Sequence, residues 1–153
     1  MLNTGRPDYG KRAKFKSNYL DIPNEPLYPF GFGLSYTTFD YGAPVLSDTI
    51  LTADKSINVS IDITNSGKRY GSEVVQMYIR DVVGSISRPM KELKGFEKIN
   101  LAPGETKQVT FTIDDALLKF YNSQLEYITE LGAFEVMIGP NSSETQSASF
   151  HLR

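Results

Sequence analysis

The sequence predicts an all-β fold: an antiparallel β-sandwich of about seven short strands behind an extended, aromatic-rich N-terminal arm. From residue 43 onward, apolar and polar residues alternate in short segments that turn signals separate. The chain has almost no helical pattern, so it lacks the crossover helices that parallel strands require. Before residue 43, prolines and glycines interrupt the chain and the alternation is missing. We therefore divide the chain into an arm, residues 1–42, and a sandwich, residues 43–153.

The arm contains an uncharged segment from Leu27 to Phe39 in which five of the thirteen residues are aromatic. Disordered segments are poor in aromatic residues, so this segment is expected to bury its rings against something. Gly31 and Gly33 form a lone GxG, without the third glycine or the β-α-β context of a dinucleotide site. We interpret these two glycines as tight bends between bulky rings.

The first two predicted strands run from Ser56 to Asn65 and from Glu73 to Asp81. In the first, isoleucine and valine occupy every second position, which is typical of a strand with one buried face. In the second, Val75, Met77 and Ile79 are expected to face inward. The remaining side chains of that strand are expected on the outer face, and these are Val74, Gln76, Tyr78 and Arg80.

The middle of the chain predicts two more strands around a tight turn. The segment from Lys91 to Asn100 is interrupted at Gly95, where we expect a β-bulge. Proline and glycine at the centre of Ala102 to Glu105 fit a type II turn. Thr106 to Ile113 alternates again, with its apolar residues inward.

The C-terminal part predicts one helical turn and the closing strands. Asp114 to Lys119 is expected to form the helical turn, which an aspartate caps. Phe120 to Ile128 is expected to form a short strand. Gly139 to Ser142 is expected to join the strands Ala133 to Ile138 and Ala148 to Leu152 as a hairpin turn.

The composition excludes several function classes. The chain has 153 residues, a net charge of −2 and no cysteine, which excludes disulfides, thiol catalysis and cysteine-ligated metals. The charge favours neither nucleic acid nor an anionic membrane surface as a partner. The sequence contains no run of the roughly 18 apolar residues that a membrane span needs, and its first residues hold no apolar run, so we expect no signal peptide.

Candidate catalytic groups are few. The single histidine, His151, disfavours Ser-His-Asp catalysis and histidine-based metal sites. Asp114 and Asp115 are adjacent, so their side chains are expected to point apart, and a helix cap explains them better than a carboxylate pair. We therefore expect no catalytic, cofactor-binding or metal-binding residue. Exposed tyrosines, such as Tyr28, Tyr36 and Tyr41, could form a sugar platform, although their aromatic surroundings favour burial at an interface.

Two segments resemble family 3 glycoside hydrolases, the β-glucosidases and β-xylosidases. The arm, from Tyr28 to Phe39, resembles their linker signature. The segment from Arg88 to Lys98, with Leu101 to Thr106, resembles their C-terminal fibronectin type III-like domain, and Val59 to Tyr78 matches the same domain. Asn3 to Pro7 resembles the end of the α/β sandwich domain that precedes the linker. The resemblance implies an immunoglobulin/fibronectin type III-like sandwich.

The resemblance also implies partners that this chain does not contain. The catalytic nucleophile and the acid/base of that family lie in two upstream domains, and no segment here matches either motif. The arm is then expected to pack at an interface with those catalytic domains, in cis or in trans. The residues expected at the interface are Tyr28, Phe30, Phe32, Tyr36 and Phe39. By the same resemblance, a periplasmic or secreted location is expected.

Three hypotheses remain open from the sequence. The first is a non-catalytic accessory module that stabilises or positions glycoside hydrolase domains. The second is a free-standing module that binds polysaccharide or a protein, and self-association through the arm is a related expectation. The third is a small hydrolase that uses Asp114 or Asp115.

Overall fold

A computed structural model describes residues 25–153. The first 24 residues of the predicted arm, including Asn3 to Pro7, lie outside the described residues. The described part contains one short helix and eleven strands, of which six have seven residues or more. The strands are β1 (Phe39–Tyr41), β2 (Val45–Leu46), β3 (Ile50–Leu51), β4 (Ser56–Asn65), β5 (Gly71–Asp81), β6 (Glu92–Leu101), β7 (Thr106–Asp114), β8 (Phe120–Tyr121), β9 (Tyr127–Ile128), β10 (Gly132–Gly139) and β11 (Gln146–Leu152), and the helix is α1 (Asp115–Leu118).

Nine of the strands form two packed sheets, which confirms the predicted all-β sandwich, and β8 and β9 form a separate two-stranded sheet. In the four-stranded sheet, β4 pairs with β7 along one edge and with β1 and β2 along the other. The five-stranded sheet has the order β3-β11-β10-β5-β6. One hydrophobic core lies between the sheets, because the inward residues predicted on β4, β5, β7 and β10 pack into a single cluster.

One strand pair differs from the predicted antiparallel arrangement. β3 pairs with β11 in parallel, with Ile50 opposite His151 and Leu51 opposite Leu152. Parallel neighbours need a long connection, and here the rest of the sandwich provides it. The sequence pattern of β3 was too short to predict this pairing, because only Ile50 and Leu51 belong to the strand.

The predicted irregularity of β6 is present beside Gly95. Met77 of β5 pairs with Gly95, whereas Tyr78 pairs with Leu93, so Lys94 is the additional residue of a β-bulge. A side chain at position 95 would lie 3.3 Å from the ring of Phe111 on the facing sheet. Glycine therefore favours close approach of the two sheets at this position, since a larger residue would require the Phe111 ring to shift.

The predicted turn and cap also form. The N–H of Glu105 donates to the carbonyl of Ala102 at 3.0 Å, and Gly104 has a φ of +76°, as a type II turn requires. Asp114 caps α1 by accepting a hydrogen bond from the N–H of Leu117 at 2.8 Å. The single strand expected between Phe120 and Ile128 is instead a hairpin of β8 and β9.

Candidate interdomain surface

The arm runs over the outer face of the five-stranded sheet, where it forms a tight turn. The N–H of Phe32 donates to the carbonyl of Pro29 at 3.0 Å, and Gly31 has a φ of +81°. A side chain at Gly31 would also collide with the amide of Gln76. Both the backbone angle and the lack of space therefore require glycine at position 31, in agreement with the predicted bend.

Two side chains of β5 anchor this turn. Gln76 donates from Nε2 to the carbonyl of Gly31 at 3.1 Å and to that of Pro140, while its Oε1 accepts from the hydroxyl of Tyr78 at 2.5 Å. The ring of Phe30 meets that of Tyr78 edge-on, with 6.5 Å between centroids. A further hydrogen bond joins the N–H of Ser142 to the carbonyl of Phe30 at 2.9 Å.

Gln76 and Tyr78 therefore differ from their predicted environment. They lie on the outer face, as expected, but both are buried because the arm covers them. Burial of an amide and a phenol is tolerated here because each polar group has a hydrogen-bond partner. A sequence signal was available, since apolar or aromatic residues occupy both faces of β5, namely Val74, Val75, Met77, Tyr78 and Ile79, as in strands that are covered on both faces.

A second anchor lies at the end of the arm, where it meets the turn after β4. Thr37 donates from Oγ1 to Oδ1 of the buried Asn65 at 2.7 Å. The carbonyl of Thr38 accepts from the N–H of Ser66 at 3.0 Å. A side chain at Gly67 would collide with Thr37, so the arm and this turn are in close contact. From Phe39 the chain continues as β1 in the four-stranded sheet.

The five predicted interface residues have two environments. Phe39 is partly buried against the core of its own domain. Tyr28, Phe30 and Tyr36 are exposed to 65%, 63% and 90%, and Phe32 lies against Tyr28 with 5.0 Å between ring centroids. The arm thus binds its own sheet mainly through backbone carbonyls and N–H groups, and leaves these four side chains exposed.

The neighbouring strand β6 extends the exposed aromatic surface. Phe96 pairs with Gln76 and Leu93 pairs with Tyr78, so both side chains lie on the outer face beside the arm. Both are exposed. We name the group Tyr28, Phe30, Phe32, Leu93 and Phe96 the arm surface. Sequence reasoning missed its two β6 members because the bulge at Lys94 changes the alternation of that strand.

A polar contact bridges the two sheets near β1. The hydroxyl of Tyr41 donates to Oε1 of Glu73 at 2.8 Å. Burial raises the pKa of Glu73 above its ordinary value of 4.5, while the hydrogen bond from Tyr41 partly opposes this. Burial and the nearby carboxylate raise the pKa of Tyr41 far above the usual range of a phenol, so its hydroxyl remains a donor. Tyr41 is therefore half-buried and engaged, and it does not form an exposed sugar platform.

The raised pKa of Glu73 predicts a pH dependence of stability. The folded state binds the proton more tightly than the unfolded state, so this contribution is full below pH 4.5 and is lost as the pH rises through the raised pKa. Glu73→Gln should remove this decline, and Tyr41→Phe should steepen it because the charged carboxylate loses its donor. Urea unfolding between pH 4 and 8 measures both variants. Parallel pH profiles for Glu73→Gln and the parent would contradict the assignment.

A buried arginine holds the loop between β5 and β6. Arg88 lies 3.1 Å from Asp81 and 3.2 Å from Glu92, and its side chain is only 9% exposed. Its guanidinium lies 4.4 Å from the centroid of the Phe120 ring. The guanidinium of Arg88 therefore contacts both ends of the loop, at Asp81 and Glu92, and also contacts the β8–β9 hairpin at Phe120.

The candidate catalytic carboxylates have structural partners. Asp114 caps α1, and Asp115 accepts from Thr129 at 2.6 Å and lies 3.6 Å from the ammonium of Lys119. The only histidine, His151, is an exposed residue of β11. Within residues 25–153, no three acidic or histidine side chains are close enough together to hold a metal ion. In the same residues, no helix has the length and apolarity needed to cross a membrane.

Comparison with known proteins identifies one matching domain family and relatives that match nearly the whole chain. Residues 73–142 match the fibronectin type III-like domain family. The chain is 51% identical over 152 residues to the periplasmic beta-glucosidase of Salmonella typhimurium, a match that covers 99% of this chain and 20% of that protein. It is 48% identical over 143 residues to a putative beta-xylosidase of Formosa agariphila, with coverages of 94% and 19%.

A solved structure gives the same correspondence. The crystal structure of a beta-glucosidase from Listeria innocua in complex with glucose superimposes with a TM-score of 0.89 at 43% identity, over 99% of this chain and 21% of that one. The chain thus spans about a fifth of the length of the relatives it matches.

Proposed function

Because this chain is a fibronectin type III-like domain that corresponds to the C-terminal region of family 3 glycoside hydrolases, we propose that it acts as the non-catalytic accessory module of such an enzyme. The resemblance of the arm and of Arg88 to Thr106 is confirmed by these matches. In the relatives, the matching region is one part of a longer chain. We propose that the arm surface packs against the catalytic domains of that longer chain.

The exposed arm surface is the observation that carries this proposal. Interface cores are enriched in aromatic side chains and depleted of charge, and the arm surface consists of four aromatic rings and one leucine. A group of exposed apolar side chains of this kind marks a contact surface in proteins that are otherwise well folded. The anchors at Gln76 and Asn65 hold the arm in place before it binds, which lowers the entropic cost of association.

A binding experiment with a separately expressed partner tests the docking. The upstream four fifths of the Salmonella relative, without its matching region, serves as the partner, and calorimetry measures its affinity for this chain. Phe30→Ala and Phe96→Ala should each weaken binding by about tenfold or more, as truncation of a central aromatic residue does.

Val45→Ala is the matched control, since Val45 is an exposed apolar residue of the other sheet. It should bind as the parent does. Equal affinity of all three variants would overturn the arm surface as the docking site. Turnover of aryl-glucosides by the purified chain alone would instead overturn its non-catalytic role, so the two parts of the proposal fail separately.

A further inference from the structure

The β8–β9 hairpin presents a second pair of aromatic rings that the docking proposal does not use. Tyr121 and Tyr127 lie opposite each other across the hairpin, with 4.9 Å between their ring centroids and 39° between their planes. Their side chains are 63% and 55% exposed. Neither residue belongs to the arm surface.

The hairpin is ordered before any partner binds. Asn122 accepts at Oδ1 from the N–H of Gln124 at 2.9 Å and from that of Glu126 at 3.0 Å, and its Nδ2 donates to Oε2 of Glu126 at 2.9 Å. On the domain side, Phe120 is buried beneath the guanidinium of Arg88. The two tyrosines therefore have a fixed support, and a ligand would meet a preformed pair of rings.

The size and the surroundings of the pair indicate the ligand. An aromatic side chain contributes about 150–250 Å² when it is covered. Leu125, which is exposed in the same turn, extends this apolar surface, but three side chains still fall short of the ~800 Å² per partner of a stable protein interface. The adjoining turn adds Ser123, Gln124 and Glu126, which are exposed and polar and can bind hydroxyl groups. Glu126 accepts one hydrogen bond from the amide of Asn122, and its remaining acceptor capacity can take a ligand hydroxyl group.

We propose that Tyr121 and Tyr127 form a binding site for a neutral polysaccharide chain. A pyranose ring has an apolar C–H face and a rim of hydroxyl groups. The C–H face stacks on the tyrosine rings, and the hydroxyl groups bind the polar residues of the turn. The site is independent of the docking of the arm surface, since the two share no residue.

Affinity electrophoresis of the full chain in native gels tests the site. The gels contain laminarin, xylan or dextran as the probe. The parent should be retarded by at least one of these polysaccharides. Tyr121→Ala and Tyr127→Ala should each raise the dissociation constant about tenfold, because each removes one stacking face. Tyr121→Phe should retain most of the affinity, since the ring remains.

Tyr70→Ala is the matched control, because Tyr70 is an exposed tyrosine that belongs neither to the hairpin nor to the arm. It should be retarded as the parent is. Absence of retardation in all three gels would overturn the proposal, and so would equal retardation of the parent and the Tyr121→Ala, Tyr127→Ala double variant. A dimer in gel filtration that Tyr127→Ala abolishes would show that the pair binds a second copy of the chain instead, and would also overturn it.

Discussion

Replacement of Arg88 with alanine is expected to lower the free energy of unfolding by about 3–5 kcal/mol. The side chain of Arg88 is 9% exposed and that of its partner Asp81 is 3% exposed. Removal of the guanidinium leaves the Asp81 carboxylate buried without a cation, and such a charge is costly in a low-dielectric environment. The variant also loses the contact between the guanidinium and the ring of Phe120.

Two further variants distinguish the destabilisation caused by the unpaired Asp81 charge from the destabilisation caused by the lost contacts of the Arg88 side chain. Asp81→Asn in the Arg88→Ala background should recover part of the lost stability, because it removes the uncompensated charge and keeps an acceptor for the N–H of Val83. Arg80→Ala is the matched control. Arg80 is 38% exposed and lies 3.8 Å from Glu135, so its loss should cost about 1 kcal/mol or less. Urea unfolding at neutral pH measures all of them, and equal losses for Arg80→Ala and Arg88→Ala would contradict the role of burial.

The long strands could be predicted from the sequence because their alternation is strong. The segment from Ser56 to Asn65 has bounds identical to those of β4, since each isoleucine and valine there faces the core and the polar residues between them lie on the more exposed face. The turn at Gly104 and the cap at Asp114 were also predictable, because proline, glycine and aspartate act locally. These features depend on a few neighbouring residues.

The parts that could not be predicted depend on contacts between distant segments. Burial of Gln76 requires the arm, which contributes the carbonyl of Gly31 from 45 residues away. The exposure of Phe96 follows from the bulge at Lys94 and from its place on an edge strand. The alternation of residues within one strand predicts neither the burial of Gln76 nor the exposure of Phe96. The aromatic content of the arm predicted that its rings are buried, whereas backbone groups make the contact with the sheet and four of the five rings stay exposed.

The contacts of the charged residue Arg88 could not be predicted from the sequence either, because they too join distant segments. Its sequence neighbours, Ser87 and Pro89, indicate only a loop. The cluster forms because the end of β5, the start of β6 and the β8–β9 hairpin meet at one place. A single sequence places Asp81, Glu92 and Phe120 in three separate elements, and only the topology of the five-stranded sheet brings them together.

Asn65→Ala is expected to lower the free energy of unfolding by about 3 kcal/mol, since it leaves buried polar groups without partners. Oδ1 of Asn65 accepts from Thr37 at 2.7 Å and from the N–H of Gly67 at 3.1 Å. Its Nδ2 donates to the carbonyls of Arg69 at 2.8 Å and Leu101 at 3.0 Å. Alanine removes all four hydrogen bonds at a fully buried position.

The same substitution should loosen the arm more than the rest of the sandwich, which distinguishes it from a general loss of stability. The N–H of Ser66 donates to the carbonyl of Thr38, so its hydrogen exchange reports the contact between the arm and the turn after β4. In Asn65→Ala, exchange at Ser66 should accelerate by more than the global loss of stability accounts for. Core amides of β10 should follow the global loss alone.

Asn58→Ala on the same strand is the matched control, because Asn58 is exposed and accepts one hydrogen bond, from Thr112 at 2.9 Å. Its loss should change the free energy of unfolding by about 0.5 kcal/mol or less. A similar effect of Asn58→Ala and Asn65→Ala would show that burial of Asn65 adds nothing. Acceleration at Ser66 no greater than that of the β10 amides would show that Asn65 stabilises the sandwich without anchoring the arm. If instead both results follow the expectation, Asn65 links the stability of the sandwich to the position of the arm surface, and a change at this one residue alters both.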